Sequence, residues 1–388
     1  MTFDFDRMID RRHTESSKWH AFSEDVLPMY VADMDFASPP PVIDALVKRA
    51  QHGVFGYAIE PKGFRQAVVD RLESKYDWKV DPKWIVFLPG VVTGFNLACH
   101  AYGQAGEGAL IQTPVYQPFL YAPQYAGMVR QEMELTHLPE GKYIVDYDAF
   151  ETAITSDTKL FILCNPHNPV GRVFKQDELE KMAQICLRHD VIICSDEIHC
   201  DLIYKGQTHL PVASLDPEIS RKTITLMAPS KTFNIAGLDC SFAVIEDETL
   251  RQTYEKARRG LVGGINVFGY NAALAAYNYG QPWLDELLVY LEENRDVLSE
   301  FIKKELPGIK FWRPEGTYLA WLDCRSLKIP GNQAQFFLDE GKVAFNEGAT
   351  YGKGGEGFIR LNFGCPRSML MEALNRMKSA LVRNGYVN

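Results

Sequence analysis

Between about residue 84 and residue 250, short apolar or β-branched runs alternate with helix-patterned stretches, and that alternation leaves few folds open. The runs are Trp84–Leu88, Ala109–Gln112, Leu160–Cys164, Val191–Ser195, Thr223–Met227 and Ser241–Ile245. Helices are predicted between them over Thr93–Tyr102, Gln176–Arg188 and Glu248–Arg258. A strand joins its neighbour in parallel only through a crossover, so repeated βα units predict a mostly parallel sheet covered by helices. Upstream, Ser38 reads as the N-cap of a helix over residues 38–53 that passes three prolines and stops at Gly53.

After a connection carrying Gly260, Gly263 and Gly264, residues 282–306 give a long amphipathic helix with Leu284, Leu287, Leu288, Leu291 and Leu298 at helical spacing, predicted to bridge two lobes. Thr317–Asp323, Val343–Asn346 and Phe358–Asn362 then read as strands, and Pro366–Gly385 as a closing helix. The 388 residues suffice for two cores. The expected fold is α/β: a three-layer large domain with a mostly parallel sheet over 48–285, plus a smaller α/β domain from 1–47 and 286–388.

The charge balance, 41 Lys and Arg against 50 Asp and Glu with no basic block, argues against a nucleic-acid or anionic-membrane partner and for a small molecule. The eight cysteines show no Cys-x-x-Cys spacing, so neither a zinc site nor a disulfide framework is indicated. The start, Met1 to Asp6, is acidic, and no apolar stretch reaches the roughly 18 residues of a membrane span. A soluble, unexported, cytoplasmic protein is expected.

Ligands of open parallel sheets bind at the carboxyl ends of the strands, and four motifs fall there. Ala228-Pro229-Ser230-Lys231-Thr232-Phe233-Asn234 puts a lysine at the lip of the sheet, where it suits a Schiff base with an aldehyde cofactor. Ser195-Asp196-Glu197-Ile198-His199 ends a strand too apolar to face solvent, so a carboxylate there needs a cation. A protonated ring nitrogen is one candidate; an ion pair with a buried Arg or Lys is the other. At about 4 Å and an effective dielectric near 20, such a pair is worth about 4 kcal/mol, or roughly three pKa units. The remaining motifs are the turn Cys164-Asn165-Pro166-His167-Asn168-Pro169-Val170-Gly171 and the glycine-bracketed Pro89-Gly90-Val91-Val92-Thr93-Gly94, a strand-to-helix turn whose N–H groups can hold a phosphate.

In this order and spacing the motifs resemble fold-type I pyridoxal-phosphate enzymes of the class I/II aminotransferase superfamily, over essentially the whole chain. Residues 27–36, 52–57, 196–199 and 360–367 narrow the resemblance to bacterial carbon–sulfur β-lyases of the MalY/PatB group, also called cystathionine β-lyases. The resemblance implies pyridoxal 5'-phosphate as cofactor, with Lys231 bonded to it and Asp196 on its ring nitrogen. It implies Asn168 on the ring hydroxyl, Tyr116 stacked on the ring, and the backbone of Val92 and Thr93 with Ser230 around the phosphate. Arg360 would clamp the substrate α-carboxylate, a task suited to its planar fork. Tyr57 would reach the phosphate of a neighbouring subunit, which implies a homodimer with shared sites. Taken singly, Tyr116 also reads as a cover for apolar surface in a proline turn, and Arg360 as a salt-bridge residue.

Two positions depart from aminotransferases. His199 replaces a usual tyrosine, and reads either as a second contact to the ring hydroxyl or as a packed histidine. Asp239 replaces a phosphate-binding arginine, leaving Arg258 or Arg259 as possible substitutes. The implied reaction is α,β-elimination from L-cystathionine or a related cysteine S-conjugate, giving a thiol, pyruvate and ammonia, with Lys231 moving the Cα proton. An aminotransferase acting on an amino acid is the first rival; a regulatory protein that contacts a transcription factor is the second.

Overall fold

The computed structural model describes residues 2–387; Met1 and Asn388, the ends of the expected domain ranges, lie outside them. Seven strands form the central sheet: β1 (Ile85–Leu88), β2 (Gly108–Thr113), β3 (Val129–Glu134), β4 (Thr158–Cys164), β5 (Ile192–Asp196), β6 (Thr223–Met227) and β7 (Ser241–Val244). Their order is β1-β7-β6-β5-β4-β2-β3. The ladders among β6, β5, β4, β2 and β3 are parallel, whereas β7 lies antiparallel to both its neighbours. The expected mostly parallel sheet is therefore present. The six predicted runs mark its five inner strands and β1, because a strand covered on both faces must be apolar throughout. Edge strand β3, Val-Arg-Gln-Glu-Met-Glu, was not expected: it is largely wet and reads as polar.

The helices that matter to the site are α1 (Pro40–Gln51), α2 (Val91–Tyr102), α3 (Gln117–Tyr125), α4 (Gln176–Arg188), α5 (Glu248–Arg258), α6 (Gln281–Glu305) and α7 (Arg367–Arg383). Ser38 does not cap α1. The N-cap position is Pro39, and Ser38 Oγ instead donates to the Asn234 carbonyl at 3.0 Å. Pro40 and Pro41 open the helix and have no N–H for a cap to bind. The proline turn expected around Tyr116 is the start of α3, with Tyr116 at its N-cap and Pro118 in the first turn. Gly94 lets α2 lie close on the sheet, since a Cβ there would sit 2.8 Å from a methyl of Leu226.

A second, four-stranded sheet is built from β8 (Lys310–Phe311), β9 (Leu319–Asp323), β10 (Asn346–Glu347) and β11 (Phe358–Asn362), in the order β8-β9-β11-β10. The run expected as one strand, Val343–Asn346, is split. Val343–Ala344 pairs in parallel with Leu27–Pro28, and Asn346 begins β10 against β11. On α6, Leu284, Leu287, Leu291 and Leu298 are buried as the helical spacing predicts, and Leu288 is half-buried against the same core. Each fully buried side chain among them contributes about 1.5–3 kcal/mol by leaving water. They belong to one apolar core that also takes in Leu27, Met29, Met34 and Phe36, so the stretch after residue 26 is packed rather than draped.

Candidate active site

A cavity of about 650 Å³ opens where β1, β2, β4, β5 and β6 end, and it gathers the motif residues. Val92 and Thr93 reach it from α2, Tyr116 from α3, Asn168 and Asp196 from strand ends, and Ser230 and Lys231 from the turn after β6. His199 and Arg360 complete its wall, the latter from β11. Tyr57 does not belong to it. That side chain is fully exposed on an extended segment, beside the exposed Val54, Phe55 and Ile59.

Lys231 follows β6 in the one-turn helix Pro229–Thr232. Its Nζ donates to the Ala32 carbonyl at 2.6 Å, and Tyr318 Oη donates to the same oxygen at 3.0 Å. Burial pulls the amine down to about 8, with Asp33 opposing the shift and Arg360 adding to it. Two contacts fix the turn. Asn234, at φ 55°, accepts from Met34 N–H and donates to the carbonyls of Met34 and Phe36. Thr232 Oγ1 donates to Asp201, which also takes Arg71 at 2.7 Å.

The two acids at the end of β5 are used differently. Glu197 accepts from Ser195 Oγ and Val212 N–H and pairs with His209 Nε2 at 2.8 Å, so both its oxygens are engaged inside the fold. Asp196 faces the cavity, is 5% exposed, and has no ion-pair partner; the Ile198 N–H donates to Oδ1 at 3.0 Å. The expected alternative, a buried pair with Arg or Lys, is not what the structure holds. Burial pushes this carboxyl up to about 7, with the Ile198 bond pulling the other way. A cation brought to its free edge would reverse that shift.

Arg360 is buried, yet it is not a surface salt-bridge residue. Its Nη1 donates to Asn168 Oδ1 at 3.0 Å, its Nη2 to the Tyr30 carbonyl and to Asn346 Oδ1, and its buried Nε has no partner. A buried guanidinium N–H without an acceptor is costly, and a carboxylate is the acceptor that fits it best. Tyr116 bonds through its backbone N–H to the Asn168 carbonyl at 3.1 Å, tying α3 to the turn after β4. His199 is buried, its Nδ1 lacks a partner, and burial with Lys231 and Arg360 nearby lowers it to about 3. It is a neutral ring with an unmet polar atom on the cavity wall.

At the other end, α2 points its N-terminus into the cavity, flanked by Ser230, Ser241 and Asp239. Neither Arg258 nor Arg259 lines the cavity, so the expected substitutes for the missing arginine are not there.

Residues 24–377 match the family model described as aminotransferase class I and II. The chain belongs to that family. This aminotransferase-family chain is 40% identical to the cystathionine beta-lyase PatB of Bacillus subtilis, a match covering 97% of the chain and 100% of the relative. It is 35% identical to the protein MalY of Escherichia coli, over 98% of the chain and 99% of that protein. Cystalysin from Treponema denticola, whose crystal structure contains a pyridoxal 5'-phosphate cofactor, superposes with a TM-score of 0.95 at 34% identity, covering 99% and 100% of the two chains. The resemblance read from the motifs stands on these matches.

Sequence reasoning missed four contributors to the family member's site. The carbonyls of Tyr30 and Ala32 act through the backbone, which no side-chain motif reveals. Asn346 comes from the second sheet and Tyr318 from the bend that leads into β9, and only the tertiary structure places them: Asn346 lies opposite Arg360 in the β10–β11 register.

Proposed function

We propose that the protein is a pyridoxal-phosphate-dependent carbon–sulfur β-lyase, cleaving L-cystathionine or related cysteine S-conjugates to a thiol, pyruvate and ammonia. The observation that carries the reading is Asp196: a buried carboxylate without a cation, in one cavity with the lowered amine of Lys231 and the open Nε of Arg360. These residues fit the cofactor. Asp196 would hold its ring nitrogen protonated, Asn168 and His199 would face the ring hydroxyl, and Tyr116 would cover the ring. Val92, Thr93 and Ser230 would take the phosphate at the α2 N-terminus.

When bound, pyridoxal phosphate supplies an electron-withdrawing ring that stabilises negative charge at the substrate Cα. Arg360 holds the α-carboxylate and so fixes which Cα bond faces the ring. Lys231, with its amine at about 8, is neutral in a useful fraction near pH 8 and takes the Cα proton. The carbonyl of Ala32 holds that amine in place when it is free. Departure of the thiolate is eased by its modest basicity, near pKa 8.5.

The active form is proposed to be a cytoplasmic homodimer, with Tyr57 of each chain reaching the site of the other. Its support is the run Val54, Phe55, Tyr57 and Ile59, four large apolar side chains exposed next to one another, as at an interaction surface. No helix among the described residues is long and apolar enough to cross a membrane. The two-lobe division, 48–285 against 1–47 with 286–388, is proposed on the same footing, supported by the pairing of Leu27–Pro28 with Val343–Ala344.

The test is to supply the purified, cofactor-loaded protein with L-cystathionine or S-ethyl-L-cysteine and follow pyruvate. Sustained pyruvate and ammonia in equal amounts mean elimination. A single turnover to the substrate's own keto acid, with no pyruvate, would mean an aminotransferase and end the lyase reading.

A further inference from the structure

The charges on the cavity wall bear on the part of the substrate that leaves with sulfur. Among the described residues lining the cavity, the cations are Lys231 and Arg360, and the anions are Asp196 and Asp239. On the lyase reading both cations are engaged, one by the cofactor and one by the substrate α-carboxylate. Arg360 has nothing left to share, since three of its five N–H groups serve Asn168, the Tyr30 carbonyl and Asn346, and the substrate α-carboxylate would take the other two. The remaining acid, Asp239, stands exposed in a left-handed turn at the phosphate end of the cavity and supplies no cation. Other lining residues, such as Tyr30, Val31 and Gln117, are neutral. The exposed run Val54-Phe55-Gly56-Tyr57-Ala58-Ile59, proposed above to cross to the neighbouring site, brings aliphatic and aromatic groups and no cation.

We infer that the site selects cysteine S-conjugates whose departing group bears no negative charge, favouring neutral alkyl or amide thioethers over carboxyalkyl ones. The inference rests on the lyase reading. A second carboxylate entering this cavity loses its hydration without gaining a cation. An amide of the same shape loses less and can still hydrogen-bond to the neutral polar wall. Cystathionine, whose departing half carries one carboxylate and one ammonium, falls between the two.

The experiment compares S-(2-carbamoylethyl)-L-cysteine with S-(2-carboxyethyl)-L-cysteine on the cofactor-loaded protein, two substrates of equal length that differ by one charge. Pyruvate release gives kcat/KM, and the absorbance change on saturation gives an apparent Kd independent of turnover. The amide is expected to be favoured by at least about tenfold in kcat/KM, with most of the difference in KM and Kd. Equal values, or a preference for the acid, would overturn the inference by showing that a cation reaches the departing group. Pyruvate from neither substrate would overturn the lyase reading and the inference with it, an outcome distinct from equal release from both.

Discussion

Arg360 Nη1 donates to Asn168 Oδ1 at 3.0 Å, a bond that joins β11 of the second sheet to the turn after β4 of the first. The residue proposed to bind the substrate carboxylate and the residue proposed to face the cofactor ring therefore set each other's position. Through Nη2 the same guanidinium holds the Tyr30 carbonyl, so the stretch bearing Ala32 is tied to both sheets. Asn362 reinforces this by donating to the carbonyls of Val31 and Asp33.

Replacing that guanidinium by an ammonium should break the arrangement without unfolding the protein. Arg360→Lys keeps the charge but cannot reach Asn168, Asn346 and Tyr30 while also presenting a fork to a carboxylate. KM is expected to rise about 10- to 100-fold, with a smaller fall in kcat and the cofactor retained. Steady-state kinetics with S-ethyl-L-cysteine decide; an unchanged KM refutes the assignment of Arg360.

Lys231→Ala removes the proposed proton carrier and the proposed attachment point of the cofactor. Pyruvate release and the visible absorbance of the attached cofactor should both disappear. A variant that kept both would refute the role of Lys231.

Much of this site was legible because chemistry-bearing side chains followed apolar strands in sequence, and a parallel sheet brings all such strand ends to one edge. Lys231, Asp196 and Asn168 are of that kind. Arg360 was reached by resemblance, since its neighbours Asn346 and Asn168 become visible only through strand register and tertiary contact. The Ser38 cap failed for a local reason, the prolines Pro40 and Pro41 that open the helix behind Pro39. Edge strand β3 was hidden because Arg130, Gln131, Glu132 and Glu134 are polar and none is buried, and solvent exposure erases the apolar signal.

Asp196 gives a pH-dependent stability signature in the cofactor-free protein. Its folded-state pKa of about 7 lies above the ordinary value of 3.8, so the folded chain binds a proton that the unfolded chain releases between those limits. The stability this group allows is complete below pH 4 and is lost as pH rises to 7. His199 and His167, both lowered by burial, act in the opposite sense over part of that range, so the comparison must be with a variant. Relative to the parent, Asp196→Asn should gain stability from pH 4 to pH 7, by on the order of 4 kcal/mol, and then level off. Denaturant melts of both apo-proteins across that range measure it, and a flat difference would show that Asp196 already has a cation. Loading the parent with cofactor should remove the dependence.

Asp239 sits where a cation would help hold a phosphate. Asp239→Asn removes one like charge from an exposed position, where screening is strong. The cofactor should bind roughly two- to fivefold more tightly, the size of an exposed charge interaction. Equilibrium titration of the apo-protein with pyridoxal phosphate tests this without any turnover, and weaker binding by the variant would mean that Asp239 helps to build the site.

Tyr57 separates a shared site from a self-contained one. It lies outside its own chain's cavity and is fully exposed, so within a monomer Tyr57→Ala should cost almost nothing. In a dimer with exchanged tyrosines it should weaken cofactor binding. Mixing decides between these. If Tyr57 and Lys231 of one site come from different chains, a hybrid of Tyr57→Ala with Lys231→Ala holds one doubly altered site and one intact site. Random reassociation of equal amounts then yields about a quarter of the parental intact sites, although neither variant supplies any alone. If both residues served the same chain's site, every hybrid site would carry one of the two changes, and mixing would restore nothing. Pyruvate release before and after unfolding and refolding the mixture together reads the difference, and activity that does not rise above the average of the separate variants rules out the exchange.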